Sequence, residues 1–185
     1  MQVEEFGLFA PDDHHDMYYT CDICWSRVYE YPYVEKRVTG SVHNTSWGFA
    51  EIHERFKAWL DDNCDDVLHS DRRRSHLPNT TVWDVTTPPP NEWIGRFDTV
   101  LSISTLEEIR RADHIDIMIN GMMPQLKPDG RLIVTFDLPG FQIDRVERYF
   151  GVEAVRPDIL LNPHNSVNPV NWPTTYNVGY LVIQK

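Results

Sequence analysis

Short apolar runs alternate along this chain with longer stretches in which apolar residues recur at helical spacing. Residues 97–104 read as a buried strand, because Val100, Leu101 and Ile103 crowd together. Residues 38–42, 67–70, 80–85, 131–136, 152–155 and 179–183 are shorter β-prone runs, giving seven strands. Between them, Ile52, Phe56, Trp59 and Leu60 predict a helix over 49–60. Ile109, Ile115, Ile119, Met122, Met123 and Leu126 predict a long one over 106–126, stopped by the Lys127-Pro128-Asp129-Gly130 turn. A third is expected over 141–150, and an aromatic-rich one over 21–36, broken at Pro32. Residues 43–48 read as a loop with turn and cap chemistry, and the acidic residues 1–16 as loosely ordered. Residues 162–177, rich in Asn and Pro, are too long for a tight hairpin.

Strands alternating with helices imply parallel βαβ units, and right-handed crossovers place helices on both faces. The last two strands have no helix between them, which puts an antiparallel strand near one end. The expectation is an α/β fold with a mostly parallel seven-stranded sheet. A partly helical segment, 1–36, would cap the site, and 37–185 would form the domain.

A formal charge of −11 opposes non-specific binding to nucleic acid, apart from the local Arg72-Arg73-Arg74 run. That run reads as a solvated cluster or as a receiver of an anionic group. No window approaches the ~20 apolar residues of a membrane span, and the start has no signal-peptide core, so a cytoplasmic protein without membrane contact is expected. The cysteines are Cys21, Cys24 and Cys64. Cys21 and Cys24 form a CxxC without a second pair, so two reduced thiols are expected rather than a metal site.

Three stretches carry a resemblance. Residues 97–109, FDTVLSISTLEEI, resemble the fourth-strand motif of the class I S-adenosylmethionine-dependent methyltransferases, a Rossmann-like family. Residues 126–135, LKPDGRLIVT, resemble its fifth-strand turn. Residues 26–32, SRVYEYP, are similar to an N-terminal segment of methyltransferases associated with polysaccharide clusters. The resemblance covers about residues 26–185. It implies S-adenosylmethionine as cofactor and a small molecule or sugar as methyl acceptor. The family usually has an acid and then a G-x-G-x-G run after the first strand. Here residues 40–48 keep only Gly40 and Gly48, with no acid between them.

Either the cofactor is held differently, by Asn44 and Ser46 with Gly48 and Ser102, or it is not held at all; the resemblance implies Asp71 on the ribose and Asp84 on the adenine amine. Read from the sheet alone, acids at the carboxyl ends of strands face the ligand crevice. The competing reading has Asp71 capping a turn and Asp84 facing solvent. Glu107 and Glu108 open a helix, where the dipole favours acids. Alternatively one faces the substrate. Glu108 or His43 would be the base for a hydroxyl acceptor, and Arg27, Glu30, Tyr31 and Glu107 would shape the acceptor pocket. A degenerate relative acting as a binding or regulatory partner is the alternative function. A nucleotide-dependent oxidoreductase is disfavoured by the missing G-x-G-x-x-G.

Overall fold

The computed structural model describes residues 1–13, 15, 26–45, 54–73, 80–158 and 177–185. Seven strands form one sheet: β1 (Gln2–Leu8), β2 (Ser41–Thr45), β3 (Asp66–Asp71), β4 (Thr80–Val82), β5 (Phe97–Ile103), β6 (Leu126–Leu138) and β7 (Asn177–Gln184). Their order is β1-β7-β6-β5-β2-β3-β4. Strands β2 to β6 are mutually parallel, while β7 runs antiparallel to both β6 and β1. Helices α1 (Arg27–Glu35) and α2 (Glu54–Asn63) contribute Val34, Phe56 and Leu60 to the core of one face. The other face is covered by α3 (His114–Asp116), which continues through the turns Ile117–Met122 and Met123–Gln125, and by α4 (Ile143–Phe150).

The first residues are a strand and not a loose segment. Their acids, which made them look solvated, are matched across the sheet: Glu4 pairs with Arg131, and Glu5 with Arg37 and Tyr33. Phe6 and Leu8 then enter the core. The run at 152–155, expected as a strand, makes a single bridge from Val155 to Gly7. Thus β1 takes the sheet position that run was expected to fill.

Strand β2 starts later than its β-prone residues suggest. Gly40 has φ 65°, and a Cβ there would lie 2.3 Å from Asp98 Oδ2. That carboxylate accepts from Ser41 N at 2.8 Å and from Ser41 Oγ at 2.7 Å, which fixes the strand's first residue. His43, Asn44 and Thr45 therefore lie in the strand, not in a loop.

Helix α1 runs through Pro32 unbroken. A proline removes the N–H that would bond the carbonyl four residues earlier. Here that carbonyl, Val28, accepts from His15 N at 2.8 Å, so the chain before the helix supplies the missing donor. The expected long helix over 106–126 is split. Residues Leu106–Glu108 form one tight turn, and helical structure resumes only at His114, with Asp113 capping Ile115 N at 3.0 Å.

Candidate functional site

Parallel strands deliver their carboxyl ends to one edge of the sheet, where open α/β sheets bind ligands. At the ends of β5 and β6, α1 brings in two charged side chains. Arg27 donates to Ser104 Oγ at 2.6 Å and pairs with Glu30. Glu30 is fully buried, and its Oε1 accepts from Ser104 Oγ and Thr135 Oγ1, each at 2.6 Å. Both carboxylate oxygens of Glu30 are thereby engaged. Burial opposes the charge of Arg27, but Glu30, Tyr31 and Asp137 more than restore it and raise its pKa. Ser104 has φ 43°, a conformation unfavourable for a residue with a side chain, at the point where these groups converge.

Two further carboxyls share this end. Glu107 is 4% exposed, and its Oε1 accepts from Asp137 N at 3.2 Å. Its Oε2 and Asp137 Oδ1 are buried without a hydrogen-bond partner among the described residues. Burial pushes the Glu107 carboxyl well above the usual range, reinforced by Asp137 and Glu30. Asp137 is likewise raised by burial and then by Glu30, with a smaller contribution from Glu108. Such orphaned polar atoms are uncommon and costly in native interiors. Asp137 was missed in the sequence. The logic that singled out Asp71 and Asp84, an acid at a strand's carboxyl end, applies equally to Asp137 at the end of β6.

The remaining expected residues are dispersed. Glu108 is exposed, unlike its neighbour Glu107. Tyr31 is buried and stacks on Phe56 with ring centroids 4.0 Å apart, so it joins α1 to α2 rather than facing the crevice. His43, expected in a crevice loop, is fully buried inside the sheet. Its Nδ1 lies 2.6 Å from Gln125 Oε1 and its Nε2 2.8 Å from Ser70 Oγ, with Trp83, Trp93 and Phe97 around the ring. Burial lowers its pKa to about 4. Because Gln125 Oε1 can only accept, Nδ1 carries the proton and Nε2 accepts from Ser70. This is a neutral histidine whose two nitrogens are both occupied.

Asn44 is buried, with Nδ2 3.3 Å from His69 Nδ1, and His69 Nε2 lies 3.2 Å from Asp61. Its side chain therefore joins β2 to β3 and, through His69, to α2. Asp71 sits at the end of β3, 7% exposed, and its Oδ1 accepts from Arg73 N at 2.9 Å. Asp84 is exposed and folds back on Thr86, whose N and Oγ1 donate to it at 2.9 and 2.7 Å. Ser102 is fully buried at the end of β5 with its Oγ unpartnered among the described residues. Ser46, Gly48, Cys21 and Cys24, together with residues 162–176, lie outside the described residues.

No protein-family model and no curated protein matches the chain. Solved structures do. A SAM-dependent methyltransferase from Aquifex aeolicus is similar with a TM-score of 0.52 and 12% identity, covering 85% of this chain and 93% of that one. A TehB-like SAM-dependent methyltransferase from Corynebacterium glutamicum gives 0.51 and 16%, covering 84% and 87%. The chain spans only about half of some other matched structures, such as the [4+2]-cyclase SpnF, of which it covers 52% at 16% identity, over 74% of this chain, with a TM-score of 0.47. The protein has the fold of the class I S-adenosylmethionine-dependent methyltransferases. Among the described residues no helix is long and apolar enough to cross a membrane.

Proposed function

We propose that the protein is an S-adenosylmethionine-dependent methyltransferase acting on a small molecule or sugar. The observation that carries this reading is the set of buried, unpartnered polar atoms at the carboxyl ends of β5 and β6. A sheet needed only as a scaffold gains nothing from them, whereas a bound ligand would satisfy them.

The described residues fit the cofactor at two points. Asp71, at the end of β3, has one carboxylate oxygen not engaged by Arg73 and suits a ribose hydroxyl. Ser102 Oγ, at the end of β5, lacks a partner. When bound, the cofactor supplies an electrophilic methyl group on sulfur. The chain's task is then alignment, and removal of a proton where the acceptor carries one. Arg27 and Glu30 hold α1 against Ser104, so the acceptor side of the crevice has a fixed wall.

The second reading, a catalytically inactive protein serving as a binding or regulatory partner, is favoured by Asp84. Its Oδ1 takes both bonds from Thr86 and the residue is exposed, so the acid expected on the adenine amine stands in solvent. Calorimetry with S-adenosylmethionine and S-adenosylhomocysteine separates the two. Binding, followed by transfer of a tritiated methyl group to a member of a panel of sugars and small metabolites, supports the enzyme. Failure to bind either compound at millimolar concentration supports the inactive partner.

A further inference from the structure

We propose that the carboxyl ends of β5 and β6 form a recognition site for a primary amine in its ammonium form, with Glu107 and Asp137 as the groups that hold it and accept its proton. This rests on the methyltransferase reading and names the class of acceptor.

Charge matching is the first argument. Three acids meet here, Glu30, Glu107 and Asp137, and Arg27 is the cation among the described residues that faces them. Arg27 is paired with Glu30, whose remaining capacity is taken by Ser104 and Thr135. Glu107 and Asp137 make no ion pair among the described residues; Arg27 attracts both without pairing with either, and its own Nε is buried without a partner there. The second argument is that Glu107, more than nine-tenths buried, has its Oε2 without a partner among the described residues while its Oε1 accepts from Asp137 N, and Asp137 Oδ1 is equally bare. The backbone fixes the pair. Asp137 N donates to Glu107, and Gly140 packs so closely that a Cβ there would lie 2.7 Å from the Cβ of Glu107. The side chain of Glu107 cannot swing out towards Gly140.

An ammonium brings one positive charge and three donors, matching two bare carboxylate oxygens. A hydroxyl brings no charge and one donor. A divalent cation suits the site less. No group of three or more His, Cys, Asp or Glu residues placed to hold a metal occurs among the described residues, and the Arg27 guanidinium faces the same space. Both carboxyls hold protons more tightly than ordinary acids, through burial and then the neighbouring acids, Asp137 and Glu30 for Glu107 and Glu30 and Glu108 for Asp137, which makes them better proton acceptors. The step balances without a further reagent: an N–H bond breaks, a carboxyl O–H bond forms, and the pair left on nitrogen is the nucleophile that methyl transfer consumes. The net charge of −11 draws cations towards the protein.

The test uses matched amine and alcohol probes, ethanolamine against ethylene glycol and glucosamine against glucose, measured by ligand-observed NMR with S-adenosylhomocysteine present. In at least one pair the amine is expected to bind tenfold or more tighter than its alcohol. That preference should vanish in Glu107→Gln with Asp137→Asn, while S-adenosylhomocysteine affinity, measured separately, is unchanged. A second readout needs no ligand. The Tm of each single variant relative to the wild type should rise as pH rises from 4, because only the wild type then acquires a buried charge at that position. The proposal is overturned if alcohols bind as well as amines, if neither series binds below 10 mM (on the order of the weakest useful fragment affinity), if Mg2+ or Mn2+ displaces the amine, or if neither variant gains Tm relative to the wild type as pH rises. Loss of S-adenosylhomocysteine binding in the wild type would instead strike the methyltransferase reading.

Discussion

At the scale of single residues, the structure distinguishes groups that are buried and satisfied from groups that are buried and waiting. His43 belongs to the first kind. With Gln125 and Ser70 on its two nitrogens, it should show no titration between pH 5 and 8 in long-range nitrogen–proton NMR spectra, and should report the Nδ1-protonated tautomer. A midpoint near 6.5 would mean that the ring reaches solvent. Asp71 lies between the two kinds: its Oδ1 accepts from Arg73 N, and that bond leaves its other oxygen unengaged. A charge-assisted hydrogen bond contributes about 1.5–3 kcal/mol, so Asp71→Ala should weaken S-adenosylhomocysteine binding by roughly tenfold or more. Asp84→Ala should change it little, because that carboxylate is exposed to solvent. A change below threefold in Asp71→Ala would remove Asp71 from the cofactor site. The sequence could not separate these cases. Both acids follow β-prone runs and both bend back on the backbone two residues on; what separates them is burial, which makes Asp71 7% exposed and leaves Asp84 in solvent.

At the scale of elements, α1 carries a buried ion pair, Arg27–Glu30, whose members bond Ser104 and Thr135 at the ends of β5 and β6. Its sequence contains a proline that reads as a break, yet the helix is continuous because His15 supplies the donor that Val28 lacks. That compensation comes from outside the local window and is invisible to any reading of spacing. Removing one member of a buried pair costs about 3–5 kcal/mol, since the other charge is stranded, whereas removing both is far milder. Arg27→Met should therefore destabilise the protein strongly to urea, and Arg27→Met with Glu30→Met should recover most of the loss. Additive losses would show that the two residues act independently. The apolar runs of β5 and β6 were legible as local signals, but residues 127–130, expected as a turn before the strand, lie within β6 as an irregularity between the Phe97–Leu126 and Thr99–Arg131 pairs. The start of β2 was not legible, because it depends on Asp98, over fifty positions away.

The whole molecule combines two opposite pH responses. His43 has a folded pKa of about 4 against 6.5 unfolded, so the native state binds fewer protons between those values. Stability is lost as pH falls through that window, by about 3 kcal/mol in all. Glu107 and Asp137 have raised pKa values, so the native state binds more protons than the unfolded chain above the ordinary carboxylate range. Their contribution falls as pH rises. Urea midpoints across pH 4–9 should pass through a maximum, and Glu107→Gln should flatten the alkaline limb while leaving the acid limb in place. An alkaline limb of unchanged slope in that variant would contradict the assignment. The class of fold was readable from the alternation of elements. The identity of the edge strand was not, since β1 is recognisable only through the arginines on other elements that neutralise its acids.

The edge formed by β1 and β7 joins Gln2 to Gln184 and Leu8 to Gly179. Loop closure between such remote segments is slow, and the pairing raises the contact order of the fold. During synthesis β1 is made well before β7, so Phe6 and Leu8 lack their sheet partner until β7 follows. The assembly of β2 to β6 can precede that event, because their partners lie closer along the chain. An unpaired strand with alternating apolar residues is an aggregation hazard, and Glu4 and Glu5 act as gatekeepers there before their arginines arrive. The same adjacency makes circular permutation feasible. A short linker between residues 185 and 1, with new ends opened at the exposed Gly95, would turn the last pairing into a local hairpin and should speed folding without moving the crevice.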